Sequence, residues 1–366
     1  MIGRLALAVS ALALALVGVE WGLRAFPLAA IETHRGTPAP SQHARFYRYD
    51  ERLGWRGRPQ ARGRFDGWEF RSDVALNREG FREGEVPEKG ERFRVVALGD
   101  SITWGYGVEQ GERYSDLLRG LLPAWGIRGE VVNLAVAGYG TDQELLLFEA
   151  EGARYCPDLV LLGLYANDLH ENAAALQGRY PKPYFRLLGD GGLAPANVPV
   201  PRLADWADEA AGRDGTTLKA FARRHLRLYA AAAFVKHALT ARSAEPPGEA
   251  PVSDDEVELT ARLLRRLGEA VERTGAGLLV VVLPDLHDAA GPSAAATRSG
   301  VPRVLDLGPV FRVAARAGPP LFYRLDGAHW TRRAHAVAAA AIAEFVARAG
   351  PLPPTPRRCP PAERVP

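Results

Sequence analysis

The sequence predicts an α/β protein built on an open, doubly wound sheet of about five mainly parallel strands. Three observations predict it. Five short apolar runs recur from Glu91 onward: FRVVAL, EVVNLAV, LVLLGL, GLLVVVLP and RVLDL. They are shorter than helices and lack the alternation of a half-exposed strand, so they read as strands buried on both faces. Helical segments separate them, the order of a parallel sheet with crossover helices, here the flavodoxin-like three-layer α/β/α arrangement.

Residues 1–26 come first. One positive charge, Arg4, precedes an uncharged apolar run from Leu5 to Val19. That run is long for a secretory leader and short for a spanning helix, which needs about 20 apolar residues. No small-x-small cleavage site follows directly. Trp21 and Arg24 suit a membrane interface, with Glu20 tolerated at its edge. The expectation is an export signal or membrane anchor that holds the body outside the cytoplasm, periplasmic or at the cell surface, or released by secretion. A buried N-terminal helix is the structural alternative.

Residues 27–90, rich in Arg, Gly, Pro and aromatics, form an accessory segment with extended pieces such as GWEFRSDVAL. Residues 91–350 carry the alternating strands and helices. Thr141 and Glu144 have capping-box spacing before LLLFEAEGARY, VELTARLLRRLGEAVER has helical periodicity, and Thr331 can cap the last long helix. Residues 170–257 interrupt the alternation with a hairpin that turns at GDGG and a helical stretch, and are expected to cap the crevice. The proline-rich tail, 351–366, is expected to be loose.

Composition excludes some classes of function. A net charge of +3, with scattered basic residues that are almost all Arg, gives no footprint for nucleic acid. Two cysteines, Cys156 and Cys359, are too few for a disulfide framework or a zinc site, and Cys156 at a strand start reads as a small core residue. No Walker or G-x-G-x-x-G spacing appears, and no cofactor is implied.

The chemistry concentrates at strand ends. FRVVALGDSITWGYG runs a strand into Gly99-Asp100-Ser101. A serine hydroxyl is a poor nucleophile without a base, and the base needs a partner that fixes its tautomer. DGAHWT supplies both: Asp326 and His329 lie three apart, so one turn can bring carboxylate and imidazole together. Oxyanion donors belong at neighbouring strand ends. Gly138, after the second strand, can offer a bare backbone N–H, and Asn167, after the third, a side-chain amide. Each feature alone also has a structural reading as turn, cap or exposed loop. Trp104 and Tyr106, just after the serine, either shape an acyl pocket or pack in the core. His287, between two acids in PDLHDAAG, either lines the crevice, sits in a solvated loop or binds a metal, and no metal is expected. Asp168 and His170 read as local hydrogen-bonding partners.

GDS after the first strand, Gly after the second, ND after the third and DGAH near the end resemble the SGNH (GDSL-type) hydrolase superfamily over about Glu91 to Gly350. The resemblance implies Ser101 as nucleophile, His329 as base and Asp326 as its orienting acid. It implies the Ser101 N–H, Gly138 and Asn167 as oxyanion hole. Tyr165 and Ala166 stand where glycines commonly precede the ND pair, which bears on the pocket width at that wall. The leader and the GW…NREGFR segment resemble membrane-anchored bacterial members.

Three functions follow as expectations. The first is an extracytoplasmic serine carboxylic-ester hydrolase acting on a small-molecule ester. The second uses the same residues as an O-acyltransferase or deacetylase on an acylated glycan. The third, of another class, is a membrane-tethered binding protein with an inactive hydrolase core.

Overall fold

A computed structural model describes residues 2–26, 45–67, 69–203, 221–222, 225–243, 251–287, 290–326 and 329–348. The expected loose tail lies outside the described residues. At the centre, β5 (Phe93–Gly99) pairs in parallel with β6 (Gly129–Asn133) on one side and β7 (Leu159–Leu164) on the other. The sheet continues through β12 (Gly277–Val282) to β13 (Val304–Asp306), also in parallel. Its order, β13-β12-β7-β5-β6, switches winding direction at β5, the place where such sheets open a crevice at the carboxyl ends of their strands. All five predicted runs are strands of this sheet, although the second ends at Asn133, short of the run's Val136.

Alternating side chains of these strands feed two core layers. On one face, Val96, Leu98, Val160, Leu162 and Val280 pack with α4 (Thr141–Glu151) and α7 (Asp254–Arg273). On the other, Val95, Leu159, Leu161 and Val281 pack with α3 (Tyr114–Leu121) and α10 (Arg332–Arg348). Two helix starts differ from expectation. α4 begins one residue early, with Gly140 before it bonded to Gln143, while the Thr141 hydroxyl donates to Asp168 and Glu144 is buried. Thr331 does precede α10, but its hydroxyl donates back to the Pro320 and Leu321 carbonyls. Cys156 is no core residue: it occupies a half-exposed turn at φ 50° before β7, and it is disulfide-bonded.

The segment before the sheet is less detached than its composition suggests. Hairpins β1 (Tyr47–Asp50)–β2 (Gly54–Gly57) and β3 (Arg62–Asp66)–β4 (Arg71–Ala75) bury Phe46, Trp55, Phe65 and Phe70 in the same core layer as α4 and α7. Gln143 of α4 donates to the Leu53 carbonyl at 2.7 Å, and the Tyr139 hydroxyl to that of Trp55 at 2.5 Å.

Within the insertion, β8 (Leu176–Gln177) pairs with β9 (Tyr180–Pro181), and β10 (Tyr184–Leu187) with β11 (Leu193–Ala196) across the predicted GDGG turn. That second hairpin packs on α4 and α7. Helix α6 (Arg227–Ser243) packs instead on α1 (Ile2–Ala25), where Glu20 accepts the N–H groups of Arg227 and Leu228 and so caps the first turn of α6. α1 contains a stretch, Ala6–Ala25, long and apolar enough to cross a membrane and unburied by the rest of the fold.

Candidate active site

The serine is placed by a turn that combines a positive-φ glycine with a helix-capping aspartate. Gly99 ends β5 at φ +154°, and a Cβ there would run into Thr103. Asp100 then caps α2 (Ser101–Trp104), accepting the Ile102 N–H at 2.8 Å. Ser101 is therefore the first residue of a helix, with an N–H that has no intrahelical partner and a hydroxyl at the rim. Below it, Thr103 points inward to the Tyr114 hydroxyl at 2.8 Å. Asn133 ties the end of β6 to the same turn by donating to the Thr103 carbonyl at 2.7 Å and to Ser115 at 2.8 Å.

The Asp326–His329 loop arrives after α9 (Gly308–Ala315) and is closed at its base by a bridge between Phe322 and Trp330. Asp326 Oδ2 accepts from His329 twice, from the backbone N–H at 3.0 Å and from Nδ1 at 2.5 Å. His329 Nε2 then lies 2.8 Å from Ser101 Oγ, across 228 positions of sequence. With the Nδ1 proton committed to the carboxylate, the Nε2 lone pair faces the serine hydroxyl, a tautomer assigned from the hydrogen-bond network.

Aromatic groups fix the imidazole from behind. Tyr106 stacks on it with ring centroids 4.1 Å apart, and Phe65 and Phe70 meet Tyr106 edge-on at 4.8 Å and 4.9 Å. Glu69 accepts the Leu325 N–H at 2.5 Å, and the Tyr323 hydroxyl donates to the Gly107 carbonyl at 2.7 Å. Both bonds hold the histidine loop, one of them to the hairpins of residues 45–76. Burial pushes the Tyr106 phenol pKa up, with the Asp326 charge adding to it, so the ring that backs the imidazole is neutral.

Gly138 and Asn167 follow β6 and β7, the two neighbours of β5, and so flank the serine turn. Gly138 sits at φ +81°, and its N–H has no hydrogen-bond partner among the described residues. Asn167 Nδ2 donates to Glu171 at 2.9 Å, at the end of the short helix α5 (Asp168–Glu171). Tyr165 and Ala166 are both buried, and the Tyr165 N–H is held by the Asp168 carboxylate at 3.2 Å.

The other predicted residues divide. Trp104 is only 2% exposed and lies in the core under Phe65 and the Arg82 guanidinium, so it lines no crevice. Phe65, from the β3–β4 hairpin, meets the Trp104 ring edge-on at 6.0 Å. His287 is exposed on the loop after β12, and among the described residues no group of His, Cys, Asp and Glu has metal-binding geometry. His170 pairs with Glu256 at 2.8 Å, the local partnership expected of it. Phe65, Phe70, Glu69 and Trp55 carry no motif and were invisible in the sequence. Glu171 had a signal: it stands four residues after Asn167, a spacing that brings side chains together on one helical turn.

Carboxyl groups gather behind the serine turn. Burial pushes Asp100 up to about 6, opposed by its bond to the Ile102 N–H and by the His329 charge. Glu144 and Asp168 lie well above the usual carboxylate range, mainly through burial and then through the acids around them.

A profile of the GDSL-like Lipase/Acylhydrolase family matches residues 97–337, which span the serine turn, both neighbouring strand ends and the Asp326–His329 loop. The chain belongs to this family. As a member of the GDSL-like acylhydrolase family it is an esterase-type enzyme. No curated protein matches its sequence. Solved structures similar to it include the psychrotrophic esterase EstA from Pseudoalteromonas sp., inhibited by monoethylphosphonate, at 12% identity over 69% of this chain and 96% of that one, with a TM-score of 0.38. The acetyl xylan esterase AlAXEase is 13% identical over 69% and 99%, with a TM-score of 0.39. TesA is 15% identical over 69% and 97%, also with a TM-score of 0.39.

Proposed function

We propose that the chain is a serine carboxylic-ester hydrolase that acts through an acyl-enzyme on Ser101. One observation carries this reading: the continuous Ser101 Oγ–His329 Nε2, His329 Nδ1–Asp326 Oδ2 relay at 2.8 Å and 2.5 Å. In the first half-reaction, His329 Nε2 takes the hydroxyl proton as Ser101 Oγ bonds to the ester carbonyl carbon. The tetrahedral intermediate collapses with cleavage of the bond to the leaving oxygen, which receives the proton from Nε2. Water repeats the sequence against the acyl-enzyme, releasing the acid and restoring the serine. Asp326 holds the Nδ1–H tautomer and stabilises the imidazolium formed at each step. The oxyanion accepts from the N–H groups of Ser101 and Gly138 and from the Asn167 amide, each donor contributing about 2.7–4 kcal/mol to the transition state.

The reaction belongs to a hydrolase unit of residues 91–350 into which the hairpins of residues 45–76 are built as a wall. We read α1 as a retained membrane anchor, because Glu20 near its end caps α6 and cleavage would strip that cap. The disulfide at Cys156 supports an oxidising, extracytoplasmic compartment. Turnover of short p-nitrophenyl esters that vanishes in Ser101→Ala, in a protein that remains folded, is the expected test result. Undiminished turnover in that variant would remove Ser101 from the mechanism.

A further inference from the structure

Glu171 closes α5 and takes no part in the proton transfers above. Its Oε1 accepts two side-chain amides, Asn167 Nδ2 at 2.9 Å and Gln177 Nε2 at 2.5 Å. Asn167 Oδ1 is buried without a partner among the described residues, so the bond to Glu171 is the one hydrogen bond there that orients the Asn167 amide. Gln177 belongs to β8, the first strand of the insertion, and its Cγ lies 3.8 Å from where a Cβ on Gly138 would stand. The Glu171 backbone is itself pinned, its carbonyl accepting Lys182 Nζ at 2.8 Å. One carboxylate oxygen thus connects the insertion to one proposed oxyanion donor, beside the other.

We infer that Glu171 is the positioning residue of the oxyanion hole, holding one Asn167 Nδ2 hydrogen so that the second is presented to the substrate oxyanion. The inference rests on Asn167 being such a donor. An ionised carboxylate only accepts, so it requires the NH2 side of the amide. A protonated carboxyl both donates and accepts, and no longer distinguishes the NH2 of Asn167 from its oxygen. Burial brings the Glu171 carboxyl up to about 7, opposed by the Asn167 bond and the Lys182 charge and reinforced by Asp100 and Asp142. Asp168 on the same helix and Glu144 on α4 complete the charged surroundings. The hold on the amide therefore tightens as pH rises through the neutral range.

Glu171→Gln mimics the protonated state without titrating. We expect its kcat on a p-nitrophenyl ester at pH 8 to fall about 10- to 100-fold with KM nearly unchanged, the scale of a misplaced catalytic group. The acid limb of its kcat profile should lose one ionisation. Glu171→Asp, which shortens the reach but keeps the charge, should also lose kcat while retaining that ionisation, and serves if the Gln variant does not fold. In an Asn167→Ala background, Glu171→Gln should cost nothing further. A Gln variant (or, if it does not fold, an Asp variant) with wild-type kcat, or a loss that multiplies that of Asn167→Ala, overturns the inference. An Asn167→Ala enzyme with undiminished kcat instead overturns the role of Asn167 and leaves the serine mechanism standing.

Discussion

The two ends of the central sheet treat buried charge in opposite ways. At the amino ends of the strands, Lys89 Nζ meets Asp158 Oδ2 at 2.6 Å with both side chains fully buried. The same Asp158 oxygen accepts the Arg94 N–H, while the Arg94 guanidinium reaches Glu130 at 2.8 Å and the carbonyls of Tyr155 and Pro87 at 2.9 Å each. At the carboxyl ends, acids outnumber cations. Lys182 pairs with Asp142, but Asp100, Asp168 and Glu171 each bury one oxygen without a partner among the described residues, and Glu144 buries both. Buried polar groups are ordinarily paired because desolvation is costly. One end is arranged for stability. The other keeps unpaired acids where the serine turn, Asn167 and Glu171 converge, and the strain of burying them is offset by the rest of the fold.

The difference can be broken by substitution at either end. The largest effect is expected at the carboxyl end: Ser101→Ala should lower kcat by about 10⁴-fold or more, measured in steady state. Its Tm should stay within a few degrees of wild type. His329→Ala should match it, and the double variant should lose little more, since the two groups act as a unit.

Asp158→Ala at the amino end should behave in reverse. It leaves Lys89 buried and uncompensated and should cost about 3–5 kcal/mol in denaturant unfolding, with kcat/KM of the folded enzyme unchanged. A large loss of kcat/KM in this variant would contradict the division of labour.

The unpaired acids sharpen the contrast through pH. Asp100, Glu144, Asp168 and Glu171 have raised folded pKa values, so the folded chain keeps protons that the unfolded chain releases. Stability from these groups is fully present below the ordinary carboxylate range and is lost as pH rises above it, through about 6 for Asp100 and about 7 for Glu171, and further still for Glu144 and Asp168. His335 acts oppositely. Buried and pushed down to about 3, mainly by desolvation and then by Arg113 and Arg82, it adds stability as pH rises from there to 6.5, where its contribution is complete. Between pH 6.5 and 8.5 the acids dominate, and thermal scans should show Tm falling. Glu144→Gln should flatten that slope and raise Tm at pH 8.5 by roughly 2–4 °C. A Tm that climbs over this range in the wild type would contradict the assignment.

The smallest effect belongs outside the sheet. Glu20→Ala removes the acceptor at the start of α6 and should cost about 0.3–1 kcal/mol, read as easier proteolysis of the insertion in the full chain. An unchanged cleavage rate would detach α1 from the body.

Much of this was legible in the amino acids. Buried strands announce themselves by continuous apolar runs, and GDS and DGAH bring their own chemistry at a fixed local spacing. Contacts between distant segments leave no such trace. Phe65 and Phe70 look like any core aromatics until they are found behind Tyr106 and His329, and the Leu325 amide cannot be matched to Glu69 from sequence. Trp104 went to the core because the hairpins of residues 45–76 fill the space beside it. Cys156 adjoins β7 in sequence, yet its positive φ takes it into a turn. The unpaired state of Glu144 is likewise tertiary, since its spacing from Thr141 suggested a cap.

Labelling the full chain with a fluorophosphonate, followed by peptide mass spectrometry, addresses the nucleophile itself. The account predicts a single adduct on Ser101, formed rapidly in wild type and at least a hundredfold more slowly in His329→Ala. An adduct on another residue, or equal labelling rates with and without the imidazole, would contradict it.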